Sequence, residues 1–171
     1  MSRAFVKEPD GADAGEDLPE RLLSPHPNYL TPGGLHALQL ELAQLRAQLA
    51  ALPVDANEDI QAHGERLRIE RDLRYYELML QKAVVIESHR QPHADVRFGA
   101  AVTVVDPDDQ RHTFTIVGES ETCAPKGYIS WVSPLASALL GRRLGDTVIW
   151  ERPAGNVELE IVAIAYPDLS A

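Results

Sequence analysis

The spacing of apolar positions changes once along the 171-residue chain, from steps of three and four to steps of two. Leu35, Leu38, Leu42, Leu45, Leu49 and Leu52 alternate threes and fours without a break. This predicts a helix with a narrow coiled-coil seam rather than the wider stripe of a helix on a globular core. Thr31-Pro32 opens it, since a threonine hydroxyl caps free backbone N–H groups and proline suits the first helical position. Pro53 ends it, because an interior proline loses a hydrogen bond and clashes with the preceding turn. The same spacing returns in Ile69, Leu73, Tyr76, Leu80 and Ala83, broken by Arg66 toward the start of the second helix. Pro53 and the matching seam predict a chain that folds back on itself instead of zipping to a second copy. About 15–18 residues a side face one another, a rod of about 25 Å at 1.5 Å per residue. Residues 53–64 form its polar, acidic tip, part of it helical.

Beyond Ala83 the pattern becomes β. Val84-Val85-Ile86 reads as an exit strand. Residues 101–105 and 112–117 form two strands joined by a turn at Asp106-Pro107-Asp108-Asp109. Residues 128–132, 147–150 and 157–164 supply three more, the last two around Pro153-Ala154-Gly155-Asn156. One short helix, residues 134–140, interrupts them, with Ser133 as its cap and Gly141 past its end. The expected fold is α+β: an N-terminal antiparallel coiled-coil hairpin and a C-terminal antiparallel β domain of roughly 75 residues carrying one short helix. The expected boundaries are a disordered acidic tail at 1–28, the hairpin at 29–88, a linker at 89–96 and the C-terminal domain at 97–167.

A formal net charge of −10, with all three parts net acidic, argues against a protein that grips nucleic acid through its phosphates. No sequence-specific DNA contact is expected. Cys123 is the only cysteine, too few for an internal disulfide or a cysteine zinc site. Neither a signal peptide nor a run of ~20 apolar residues stands in the sequence, so a cytoplasmic monomer is expected, with no membrane partner.

One stretch carries a family likeness. Ser133-Pro134-Leu135-Ala136-Ser137-Ala138-Leu139-Leu140-Gly141-Arg142-Arg143-Leu144-Gly145-Asp146-Thr147-Val148 resembles the SP-x-A-x-A-L-x-G-x-x-x-GD-x-V signature of the bacterial GreA/GreB factors. Residues 98–102, 116–118 and 153–155 support it, as do Leu30-Thr31-Pro32-Gly33-Gly34-Leu35 and Ala83-Val84-Val85-Ile86 at the two ends of the hairpin. The likeness covers residues 29–166. It implies an FKBP-like C-terminal domain that docks at the rim of the RNA polymerase secondary channel, and a coiled coil that reaches down it. The docking residues it implies are Ser133, Pro134, Leu135, Ala136, Leu139, Gly141, Gly145 and Asp146. In such factors, acidic tip residues help hold the polymerase's catalytic Mg²⁺, and the polymerase performs the hydrolysis.

The tip departs from this pattern. The family's G-D-x-x-x-E-N-x-E-Y string is missing, and Asp55, Glu58 and Asp59 stand nearby instead. Carboxylates suit Mg²⁺, but coordination needs oxygen at about 2.0–2.6 Å, and the hairpin is about a dozen residues shorter than in GreA or GreB, some 9 Å less reach. The expectation is therefore a polymerase-binding regulator of elongation, closer to the short-hairpin relative Rnk or to inhibitory Gre homologues, with no catalytic activity, metal or cofactor of its own. The rival is a cleavage factor whose Asp55, Glu58 and Asp59 work on the polymerase Mg²⁺. Three other features stand out: a basic helix side (Arg66, Arg68, Arg71, Arg74), a set of large apolar residues (Trp131, Leu135, Leu139, Trp150) divided between core and docking surface, and Phe5-Val6 flanked by charge in the tail.

Overall fold

The computed structural model describes residues 18–53 and 60–170. Helix α1 (Pro32–Ala51) starts where Thr31 caps it, the threonine hydroxyl accepting from Gly34 N at 3.0 Å. Helix α2 (Ile60–Gln81) returns beside it. Leu38 packs with Met79, Arg46 pairs with Glu77 at 3.0 Å, and Arg66 donates to the Pro53 carbonyl at 3.1 Å, so the helices run antiparallel. Leu42, Leu45, Ile69 and Leu73 are buried between them, with Leu49, Leu52, Tyr76 and Leu80 at the rim, as the seam predicts.

At the base the narrow seam widens. Leu30, Leu38 and Met79 form a second buried cluster, joined by Leu23, Tyr75 and Tyr76. Met79 is absent from the seam read in the sequence because a third layer, residues 23–30, covers α2 here and draws a broader apolar stripe inward. Strand β1 (Asn28–Leu30) lies in that layer and pairs in parallel with β2 (Ala83–Val85), the expected exit strand. Three residues behind Pro27 are too short a run to show a period. Upstream, Glu20 meets Arg74 at 2.5 Å, and Arg21 meets Asp72 at 3.4 Å with its guanidinium 3.9 Å over Tyr75. Phe5 and Val6 lie outside the described residues.

The C-terminal domain comprises β3 (Ala101–Val105), β4 (Arg111–Val117), β5 (Tyr128–Ser130), α3 (Pro134–Leu139), β6 (Thr147–Trp150) and β7 (Val157–Ala165). Its sheet has the order β5-β4-β3-β7-β6. Every pair is antiparallel except β4–β5, which is parallel, so the curled sheet is mixed where wholly antiparallel pairing was expected. The cause is the connection 118–127, which carries two 3₁₀ turns and returns the chain to the starting side of β4 instead of closing a hairpin. Val102, Val104, Ile116, Leu135, Leu139, Leu159 and Ile161 are buried between α3 and the sheet.

Candidate functional site

The expected site residues divide between the hairpin tip and the α3 region. Asp55, Glu58 and Asp59 lie outside the described residues. Among the described residues of the tip segment, 60–64 are helical, and Ile60 is exposed.

The α3 motif is described in full, and most of it serves the fold. Ser133 Oγ accepts from Ala136 N at 3.2 Å, capping α3. Leu135, Ala136 and Leu139 are at most 3% exposed, so they cannot touch a partner. Gly141 (φ +76°) and Gly145 (φ +86°) adopt left-handed backbone that a side chain would strain. Asp146 holds the turn between them: its Oδ2 accepts from Arg143 N at 2.8 Å and its carbonyl accepts from Ile161 N at 2.9 Å. To solvent this frame presents Pro134, Ser137, the two glycines and the loop Arg142-Arg143-Leu144, with Leu144 64% exposed. The family signature writes these three loop positions as variable, which is why a motif reading passes over them.

The two tryptophans part company. Trp131 is half-buried against Tyr29 (ring centroids 4.9 Å apart) and His26 (5.9 Å), tying the segment before α1 to the C-terminal domain. Trp150 packs on Phe114 at 6.1 Å with Arg152 5.0 Å above its ring. On the basic side of α2, Arg71 pairs with Asp72 at 3.0 Å and Arg74 with Glu20. The hydrogen bonds that Arg74 donates to Glu20 raise its pKa above the ordinary value. The ion-pair partners of these two arginines are thus Asp72 and the segment before β1. Among the described residues no group of three or more His, Cys, Asp or Glu is placed to hold a metal ion, and no helix is long and apolar enough to cross a membrane.

A cleft of about 400 Å³ lies where the hairpin base meets the C-terminal domain, lined by Thr31, Gly34, Glu41, Tyr76, Glu121 and Lys126 among others. Glu121 accepts from Thr31 N at 3.1 Å, from the Thr31 hydroxyl, and from Gly118 N at 3.0 Å. Gly33 N donates to the Leu169 carbonyl at 2.7 Å, a second tie between the two parts.

Fold and surfaces together define a two-part protein, a helical rod seated on a β domain through polar and aromatic contacts at one junction. The family model described as "Transcription elongation factor, GreA/GreB, C-term" matches residues 91–166. The chain is 35% identical over 153 residues to transcription elongation factor GreB of Neisseria meningitidis serogroup B, covering 81% of this chain and 94% of that protein. It is 36% identical over 151 residues to transcription elongation factor GreA of Ruegeria pomeroyi, covering 80% and 96%. Among solved structures, GreA factor homolog 1 of Thermus thermophilus matches at 27% identity, over 82% of this chain and 99% of that one, with a TM-score of 0.39. The chain belongs to the GreA/GreB family of transcription elongation factors.

Proposed function

We propose that this protein binds bacterial RNA polymerase and regulates elongation by occupying the secondary-channel entrance, without efficiently stimulating transcript cleavage. Family membership supports the polymerase as partner. The observation that carries the absence of cleavage is the hairpin itself. Its described helices of 20 and 22 residues account for about 30 Å of rod, and its tip lacks the family's cleavage string. The alignment with the Neisseria factor spans 153 positions yet draws on 81% of these 171 residues, so the relative carries extra residues within the match. A carboxylate several ångströms short of a metal ion coordinates nothing.

Docking falls to the C-terminal domain. Leu135, Ala136 and Leu139 act from beneath, Ser133 and Asp146 fix the cap and the turn, and Gly141 and Gly145 supply its left-handed bends, while Pro134 and Leu144 make the contact with flanking help from Arg142 and Arg143. An exposed leucine beside two arginines suits a partner surface that is apolar with acidic edges.

The test is RNA cleavage in a stalled, backtracked polymerase complex with Mg²⁺, with and without the protein. No shortening of RNA, together with loss of GreB-stimulated cleavage as the protein is added, is the expected result. The acidic residues at the tip favour the second reading, a cleavage factor. RNA shortening that disappears in the triple variant Asp55→Ala, Glu58→Ala, Asp59→Ala would establish it. Leu144→Ala is expected to weaken the competition with GreB about tenfold or more, the order of a buried apolar anchor.

A further inference from the structure

Helix α1 has an unusual first turn. A threonine N-cap is commonly completed by a glutamate three residues on, whose side chain reaches back to the cap residue's own N–H. Here the third residue after Thr31 is Gly34, which has no side chain to do this. The carboxylate of Glu121, 90 positions along the chain, does it instead. It accepts from Thr31 N at 3.1 Å and from the Thr31 hydroxyl, while that hydroxyl accepts from Gly34 N at 3.0 Å. A Cβ on Gly34 would collide with the Glu121 carboxylate, so the glycine leaves open the space the carboxylate fills.

The other end of Glu121 is anchored in the C-terminal domain. Its Oε2 also accepts from Gly118 N at 3.0 Å, inside the connection that follows β4. Gly118 in turn lets this connection approach β1, since a Cβ there would meet the Tyr29 carbonyl oxygen. One charged group thus joins the cap residue of the hairpin to the backbone of the β domain, and Thr31 is 3% exposed, so water competes little.

We infer that Glu121 is a positioning residue: by completing the capping box of α1 from the other domain, it sets the direction in which the hairpin projects from the C-terminal domain. Its consequence for transcription rests on the channel-occupying reading above. The geometric part stands without it.

The test separates capping from positioning with three full-length proteins: native, Glu121→Ala, and Glu121→Ala with Gly34→Glu. The double variant restores a capping glutamate within α1 but leaves the Glu121 tie between the two domains broken. Residual dipolar couplings measured for α1–α2 and for the sheet fit one common alignment tensor in the native protein. They are expected to need two tensors in both variants. Amide exchange at Gly34 and Leu35 is expected to rise about tenfold in Glu121→Ala and to return toward native in the double variant. Exchange across β3, β4 and β7 stays native in all three. A single common tensor in Glu121→Ala overturns the inference, and so does a double variant that recovers one tensor, which would make the role a local cap. With polymerase, both variants are expected to bind and compete with GreB within about threefold of native, yet to lose most of the protein's own effect on elongation measured without GreB. A native protein that fails to compete would sink the polymerase reading and leave the tensor result intact.

Discussion

Asp106 ends β3 with its side chain folded over the turn that follows. Its Oδ1 accepts from Asp108 N at 3.0 Å and Gln110 N at 2.9 Å, and its Oδ2 lies 3.0 Å from His112 Nε2. These bonds favour the ionised form, so its pKa lies below 3.8, with the Gln110 N–H the largest cause and His112 next. A depressed folded pKa contributes stability that is complete above the unfolded value and lost as pH falls through the folded one. Stability should therefore decline as pH is lowered below about 4, and Asp106→Asn should remove that part of the acid dependence. Thermal melts between pH 2 and 6 check this; identical profiles for the two proteins would refute it. Tyr166 anchors the other end of the domain. Its hydroxyl donates to the Asp95 carbonyl at 2.5 Å and accepts from Arg97 N at 3.1 Å, and its ring stacks 4.4 Å from His93. Burial, the largest cause, raises its pKa above 10.0. Tyr166→Phe leaves both backbone groups unpaired and should cost about 1–3 kcal/mol, lowering Tm by roughly 2–4 °C per kcal/mol. Calorimetry on the pair of proteins would measure it.

At the scale of elements, the hairpin seam and the α3 turn behave differently on substitution. Leu42 and Leu45 are 3% and 7% exposed, and α1 touches little else along its middle. Leu42→Ala should cost about 2–5 kcal/mol and melt the helices before the sheet, visible as two transitions where far-UV and near-UV circular dichroism are followed together. Ser133→Ala removes only a cap and should cost about 1 kcal/mol. Both elements are legible in the sequence, because period and capping are local: the leucine spacing, Thr31-Pro32 and Ser133-Pro134 act within one or two turns of themselves. The direction of β5 is not. Tyr128-Ile129-Ser130 reads as a strand from its composition, but nothing in 118–127 says on which side of β4 it returns. Met79 and β1 escape a reading of the pattern for a related reason, since their partners, Leu30 and Leu23 for one and β2 for the other, are remote in sequence.

For the whole molecule, reach decides function on the proposed reading. Adding seven residues to each helix keeps the seam in phase and lengthens the rod by about 10 Å. Combined with the family's cleavage tip, this variant is expected to shorten backtracked RNA where the native protein does not. If it docks and still leaves the RNA intact, reach is not what limits the native protein.

The candidate site shows the same division between local and remote information. By itself the sequence determined the two-helix seam, the capped starts of α1 and α3, the run of strands and the family signature, all of which depend on residues within a few positions of one another. Only the tertiary structure decided that Leu135, Ala136 and Leu139 are core while Leu144 is surface, because burial depends on which face of a short helix meets the sheet. It alone also placed Glu121 at the cap of α1, because a hydrogen bond across 90 residues leaves no period, spacing or composition in the chain to be read.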